Sequence, residues 1–138
     1  MAQSVCKVEV FTAEIANKVG AGAKALAALK EGGVNLVAFW GYPLGAKAKK
    51  AAIEIVPETA AGFKKIAKKA GLEVEKSTGF IVEADDQPGA LAGILGALAA
   101  ADINVSAVKS MQTGAGKFKA GIFVAPEDVR KAGKILGA

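Results

Sequence analysis

Two hydrophobic periods alternate along the chain, and they are clearest in its second half. "GFIVEA" (79–84) is a short apolar, β-branched run closed by the turn signal "DDQPG", which predicts a strand. Leu91, Ile94, Leu95 and Leu98 then recur at i, i+3, i+4 and i+7, the spacing of one helix face laid against a sheet. "INVSAVKSM" returns to strand character and "QTGAGK" reads as a hairpin loop. "FKAGIFVA" follows as a strand with Phe118, Ala120, Ile122 and Val124 on one side. Pro126 ends that strand and opens "PEDVRKAGKIL", a second helix with Glu127 and Asp128 in the first turn, where the macrodipole favours carboxylates.

The first half repeats this order. An ungapped shift of 69 residues lays Gly20 on Gly89, Leu26 on Leu95, Leu29 on Leu98, Asn35 on Asn104, and "AAIEIVPE" (51–58) on "AGIFVAPE" (120–127). Its elements are "KVEVF", "AKALAALK", "VNLVAFW", "AAIEIV" and "TAAGFKKIAKKA", with one further strand, "LEVEK" (72–76). The order βαββαβ predicts an α+β fold: two tandem ferredoxin-like modules, 1–76 and 77–138, each an antiparallel sheet with helices on one face. The second copy ends at Ala138, where its fourth strand is due, and a bare sheet edge invites aggregation. "LEVEK" and "FIVEA" are separated only by "STG", so a hairpin there would let the first copy's last strand fill the gap.

Composition narrows the chemistry. The 138 residues are 52% hydrophobic, enough for a compact core, and no apolar run approaches the roughly 20 residues of a membrane span. We therefore expect a soluble, cytoplasmic protein. Histidine is absent and Cys6 is the only cysteine, which removes His-based triads, His-ligated zinc and cysteine clusters, so no cofactor and no enzymatic activity is expected. The adjacent acids Asp85 and Asp86 have no nucleophile, base or ligand set beside them. Charge is uneven: residues 1–69 hold 11 lysines against 5 acids. Lys64, Lys65, Lys68 and Lys69 stand opposite Phe63, Ile66 and Ala70 on one predicted helix, the pattern of a solvated face, whereas Lys47, Lys49 and Lys50 occupy a hairpin loop open to an acidic partner.

The helix mouth "DDQPG" carries the candidate chemistry. Pro88 presets φ at the helix start, Gly89 lets the backbone pass close to a neighbour, and Asp86 can cap free N–H groups. Those N–H groups also suit a carboxylate. Asn104, at the start of the next strand, adds an amide donor and acceptor where strand interiors disfavour them. Loop N–H groups for a carboxylate, with Asp86 and Asn104 for an ammonium, make the chemistry of a free α-amino acid.

"D-Q-P-G-A-L" (86–91), an Ala/Leu helix and "A-D-I-N-V" (101–105) together resemble the ACT domain, a βαββαβ module that binds amino acids or related metabolites and regulates metabolic enzymes. The resemblance covers the second copy and, through the repeat, extends to the first. It implies ligand contacts from Asp86, Gln87, Pro88, Gly89, Ala90 and Asn104, at a place where two modules meet. In the first copy the matching residues are Asn17, Lys18, Val19, Gly20, Ala21 and Asn35. Val19 there replaces the proline and "TAEIANK" reads as a longer, looser loop, so that copy is expected to act more as structural partner than as binding site. The resemblance further implies a stand-alone regulatory sensor acting on a metabolic enzyme, and incomplete sheet edges imply a homodimer. The rival reading is an RNA-binding module of the same order, which carries aromatics on central strands. At 6% aromatic residues the chain offers little stacking surface, so nucleic acid is not the expected partner, and Trp40 and Tyr42 are assigned to space-filling or a ligand cleft.

Overall fold

The computed structural model describes residues 3–138, in the order β1 (Gln3–Ala16), α1 (Ala21–Glu31), β2 (Leu36–Pro43), β3 (Lys50–Pro57), α2 (Phe63–Lys69), β4 (Glu75–Asp85), α3 (Ala90–Ala100), β5 (Val105–Gly114), β6 (Lys117–Val124), a 3-10 turn (Pro126–Asp128) and α4 (Val129–Leu136). The chain divides into two compact units. One is Glu9–Ser77; the other joins Thr78–Ala138 to the described residues up to Val8.

In the first unit, Glu9–Ser77, the strand order is β2-β3-β1-β4, with β4 represented by its first residues. Alternation along antiparallel β1 and β3 sets Phe11 opposite Ile55 and Ala13 opposite Ile53 on the helix-bearing face. Ala25 and Leu29 of α1, Phe63 and Ala67 of α2, and Leu72 close the core over them. The Phe11 and Phe63 rings sit 4.6 Å apart, a tilted pair that adds about 0.5–1.5 kcal/mol to their area burial. Lys64, Lys65, Lys68 and Lys69 of α2 are exposed, and the last two lie in the final turn, where the macrodipole favours cations.

The second unit has the order β1-β4-β6-β5, with residues 3–8 of β1 as the outer strand beside β4. Phe80, Val82 and Ala84 of β4 and Phe118, Ala120, Ile122 and Val124 of β6 pack against Ile94 and Leu98 of α3 and Ala132 and Leu136 of α4. Val5 joins this core, and the Gln3 Nε2 donates to the Leu136 carbonyl at 3.2 Å. The N-terminal half of β1 is thus the fourth strand that the second copy lacks. The hydrophobic face of β4–β6 recruits it because a bare β4 would leave apolar side chains and backbone groups unpaired.

Three expectations are corrected. "STG" is no hairpin: β4 runs unbroken from Glu75 to Asp85 and Gly79 is buried in it, while Leu72 to Val74 precede the strand. Gly79 is not among the positive-φ glycines, so the chain has no conformational means of reversing there. "TAEIA" is strand, not loose loop, since β1 continues to Ala16. The 69-residue repeat slips by two in the third strand. Phe11 faces Ile55, whereas its counterpart Phe80 faces Ile122, so Ile55 corresponds to Ile122 at a spacing of 67. The cause is the second unit's shorter hairpin, turned by Ala115 (φ 54) and Gly116 (φ 72), both in the left-handed region that tight hairpins require. The 3-10 turn restores the two residues, and the two "PE" motifs therefore differ: Pro57 closes β3, whereas Pro126 opens a helical turn.

Candidate functional site

Each unit carries a short loop between its first strand and first helix, and the two loops have one geometry. Gly20 (φ 84) and Gly89 (φ 85) both take the left-handed conformation, which a Cβ disfavours. The Ala21 N–H donates to the Lys18 carbonyl and the Ala90 N–H to the Gln87 carbonyl, at 3.2 and 3.1 Å. Val19 in place of Pro88 leaves this turn intact, because the glycine φ and the i→i+3 hydrogen bond define it.

Position 86 and its counterpart 17 clamp the loop to the neighbouring hairpin. The Asp86 N–H donates to the Gly116 carbonyl and the Asn17 N–H to the Lys49 carbonyl, both at 2.8 Å, and the Asn17 Nδ2 donates to the Ala48 carbonyl at 2.9 Å. Asp86 does not cap α3, whose start has no side-chain cap; its Oδ2 instead accepts from the Gln112 Nε2 at 2.5 Å. The preceding Asp85 accepts a 2.5 Å bond from the Lys117 Nζ, which raises the pKa of that lysine above its ordinary value.

Between the loop, the start of α3 and the last half of β5 lies a groove of about 390 Å³. Asp86, Gln87, Ser110 and Gln112 supply its polar groups, and Leu91, Met111 and Phe118 its apolar ones. Ser110 and Gln112 escaped the sequence reading, although a signal existed. They are the cross-strand partners of Ala120 and Phe118 and share the face that those residues turn to the core, a face that should be apolar, while Met111 between them lies on the other face.

Asn104 is not part of this groove. It precedes Val105, which faces Val124 at the end of β6, whereas Asp85 faces Lys117 at its beginning, a separation of roughly 23 Å at 3.3 Å per residue. The first unit repeats the arrangement, and there Asn35 has a structural task. Its Nδ2 donates to the Glu58 Oε2 at 2.9 Å and its carbonyl accepts from the Glu58 N–H at 2.8 Å, joining the α1–β2 and β3–α2 connections. Within either unit, then, the loop and the asparagine stand at opposite ends. Among the described residues no group of three His, Cys, Asp or Glu is placed to hold a metal, and no helix is long and apolar enough to cross a membrane.

Residues 79–138 match the model of the ACT domain family. Comparison with curated proteins finds no significant match. Among solved structures, the chain is similar to protein BT0572 from Bacteroides thetaiotaomicron (TM-score 0.81, 19% identity, 96% of this chain and 88% of that one). It is also similar to the regulatory subunit of aspartate kinase from Thermus thermophilus (TM-score 0.64, 15% identity, 99% and 95% covered) and to that from Thermus flavus (TM-score 0.65, 14% identity, 99% and 95% covered). At these identities the likeness is one of fold, and it spans both units. The ACT domain match thus falls on the second unit, whose sheet is completed by the N-terminal half of β1 and which is preceded by a unit of the same ferredoxin-like fold.

Proposed function

We propose that the protein is a regulatory amino-acid sensor whose ligand lies in the groove between the 86–89 loop and β5. The observation that carries this reading is that the Asp86 carboxylate, Ser110 and Gln112 line one groove with the start of α3, beside apolar Leu91, Met111 and Phe118. An α-ammonium meets Asp86, an α-carboxylate meets the helix start, and the side chain lies on the apolar wall.

The asparagine reaches such a site only from a second copy. β5 is the outer strand of its unit, with Val108 and Met111 exposed. Antiparallel pairing of two β5 edges about a two-fold axis sets the start of one strand beside the end of the other, and so the partner's Asn104 beside Gln112. The active species is therefore a homodimer, in which ligand binding and assembly are linked and signal to a metabolic enzyme. The fold shared with aspartate kinase regulatory subunits supports that role. The RNA-binding alternative gains no support from the aromatics. In the first unit, Trp40 and Tyr42 stand on outer strand β2, Tyr42 bonded to the Glu54 carboxylate; in the second, Phe123 is buried.

A thermal-shift screen of the standard amino acids tests the proposal, since a ligand at 100 times its Kd stabilises by about 2.7 kcal/mol. With the ligand identified, Asp86→Ala and Asn104→Ala should each weaken binding by roughly 1.5–3 kcal/mol in calorimetry, the loss of a hydrogen bond to a charged group. Unchanged affinity in Asp86→Ala removes the groove from consideration; unchanged affinity in Asn104→Ala removes the partner's contribution alone.

A further inference from the structure

The first unit has a larger cleft than the second unit's groove, on the other side of its first helix. It measures about 580 Å³ and opens between β1, α1 and the end of α2. Its walls are apolar: Ile15 from the end of β1, Ala25 and Ala28 from α1, and Leu72 after α2. Val19 stands at its mouth and is the most exposed large apolar side chain described. Two cations, Lys18 and Lys24, line it, and neither has an acidic partner among the described residues. Glu14 also lines the cleft, with its Oε1 3.8 Å from the Lys50 Nζ.

The second unit shows the same place without these features. Its corresponding cavity is smaller, about 390 Å³, and Gln87 and Gly93 occupy the positions of the two lysines. Gln3, which stands 69 residues before Leu72, lines that cavity and donates to the Leu136 carbonyl at 3.2 Å. One copy of the repeat thus narrows its cleft with a neutral polar side chain, and the other has a wider cleft lined by two lysines.

We infer that the first-unit cleft is a second ligand site, selective for a short aliphatic carboxylate that carries no α-ammonium group. Lys18 and Lys24 neutralise the carboxylate, and its hydrocarbon chain lies along Ile15, Ala28 and Leu72 and covers Val19. An α-ammonium in the same position would face two like charges, with the one lining acid already shared with Lys50. This selectivity is the reverse of the zwitterion preference proposed for the second-unit groove, and it stands independently of that proposal.

Hexanoate and norleucine have the same carbon skeleton and differ by the ammonium group, which makes them the probe pair. In amide NMR titrations of the full chain, hexanoate should shift Ala21, Ala25, Ala28 and Gly71, and norleucine at equal concentration should leave them in place. Replacing both lysines (Lys18→Ala with Lys24→Ala) removes exposed side chains, so the fold persists, and should raise the hexanoate Kd roughly tenfold or more. Ala28→Leu, which fills the cleft and keeps both charges, should abolish the shifts. Asp86→Ala should leave them unchanged, which separates this site from the groove of the second unit. The inference is overturned if hexanoate moves none of the cleft amides, if the double lysine variant binds it as tightly as the parent chain, or if norleucine binds the cleft equally well.

Discussion

Asp102 shows how one residue carries strain that its repeat partner avoids. It follows α3 with φ 61, in the left-handed region where Gly33 (φ 76) stands after α1, and both sites pass the next N–H back to a helix carbonyl, Ile103 to Leu98 and Val34 to Leu29. A residue with a Cβ bears about 1–2 kcal/mol there, offset in part by the greater unfolded-state entropy of glycine. Asp102→Gly should therefore stabilise the protein by about 0.5–1 kcal/mol in urea unfolding; a loss of stability would mean that the carboxylate has a task this account omits. Tyr42 offers a second check, because it is the only tyrosine and its ionisation can be read at one wavelength. The Glu54 carboxylate, only 8% exposed, accepts from the phenol and raises its pKa above the ordinary value. The folded chain holds that proton more tightly than the unfolded one. The contribution to stability is thus complete below the unfolded-state value and lost as pH rises through the folded-state value. Glu54→Gln should move the tyrosinate midpoint down, and a midpoint that stays put would rule out Glu54 as its cause.

Among the elements, β1 is the one whose loss would be felt most unevenly. Its residues 9–16 pair with β3 in the first unit, whereas residues 3–8 complete the sheet of the second, where Val5 packs against the core. Removing residues 1–8 strips that strand from β4, with loss of the Val5 burial and of the Gln3 bond to Leu136. We expect a cost of about 2 kcal/mol, from burial of one aliphatic side chain together with a hydrogen bond, confined to the second unit. Hydrogen exchange resolved by residue should show faster exchange at β4 and α4 and unchanged rates at β3. Uniform acceleration in both units would contradict the assignment of residues 3–8. The exposed β4 edge should also aggregate more readily.

For the whole molecule, the excess of positive charge lies mostly in the first unit. Glu9–Ser77 holds 11 lysines against 7 glutamates, and four of those lysines cover the outer face of α2. This surface has no exposed aromatic on α1 or α2, so any binding to RNA should be that of a diffuse cation, falling steeply with salt and indifferent to sequence. The oligomer is the larger question. If two β5 edges pair, light scattering gives a dimer mass, and Val108→Lys with Met111→Lys should shift it towards monomer without unfolding the chain, since both side chains are exposed. A parent chain that stays monomeric at every concentration, or a double variant that stays fully dimeric, would refute pairing through β5.

The amino-acid sequence by itself determined the elements and their faces. Leu91, Ile94, Leu95 and Leu98 lie on one side of α3, and Phe118, Ala120, Ile122 and Val124 face them, because local periodicity decides which side chains can be buried together. It also located the two glycine turns, since a left-handed φ selects its residue wherever it occurs. Tertiary structure alone decided which strand completes which sheet: "SVCKV" carries no mark of the unit it joins, and only the open edge of β4 assigns it. The two-residue slip of β6 was hidden for a similar reason, because register depends on the partner strand and the turn length while an ungapped match counts only identity. The candidate site divides in the same way. The 86–89 loop was legible because its chemistry is contiguous; the places of Ser110 and Gln112 beside it, and of Asn104 at the other end of its unit, were not, because which residues meet across a sheet is set by pairing between strands distant in the chain.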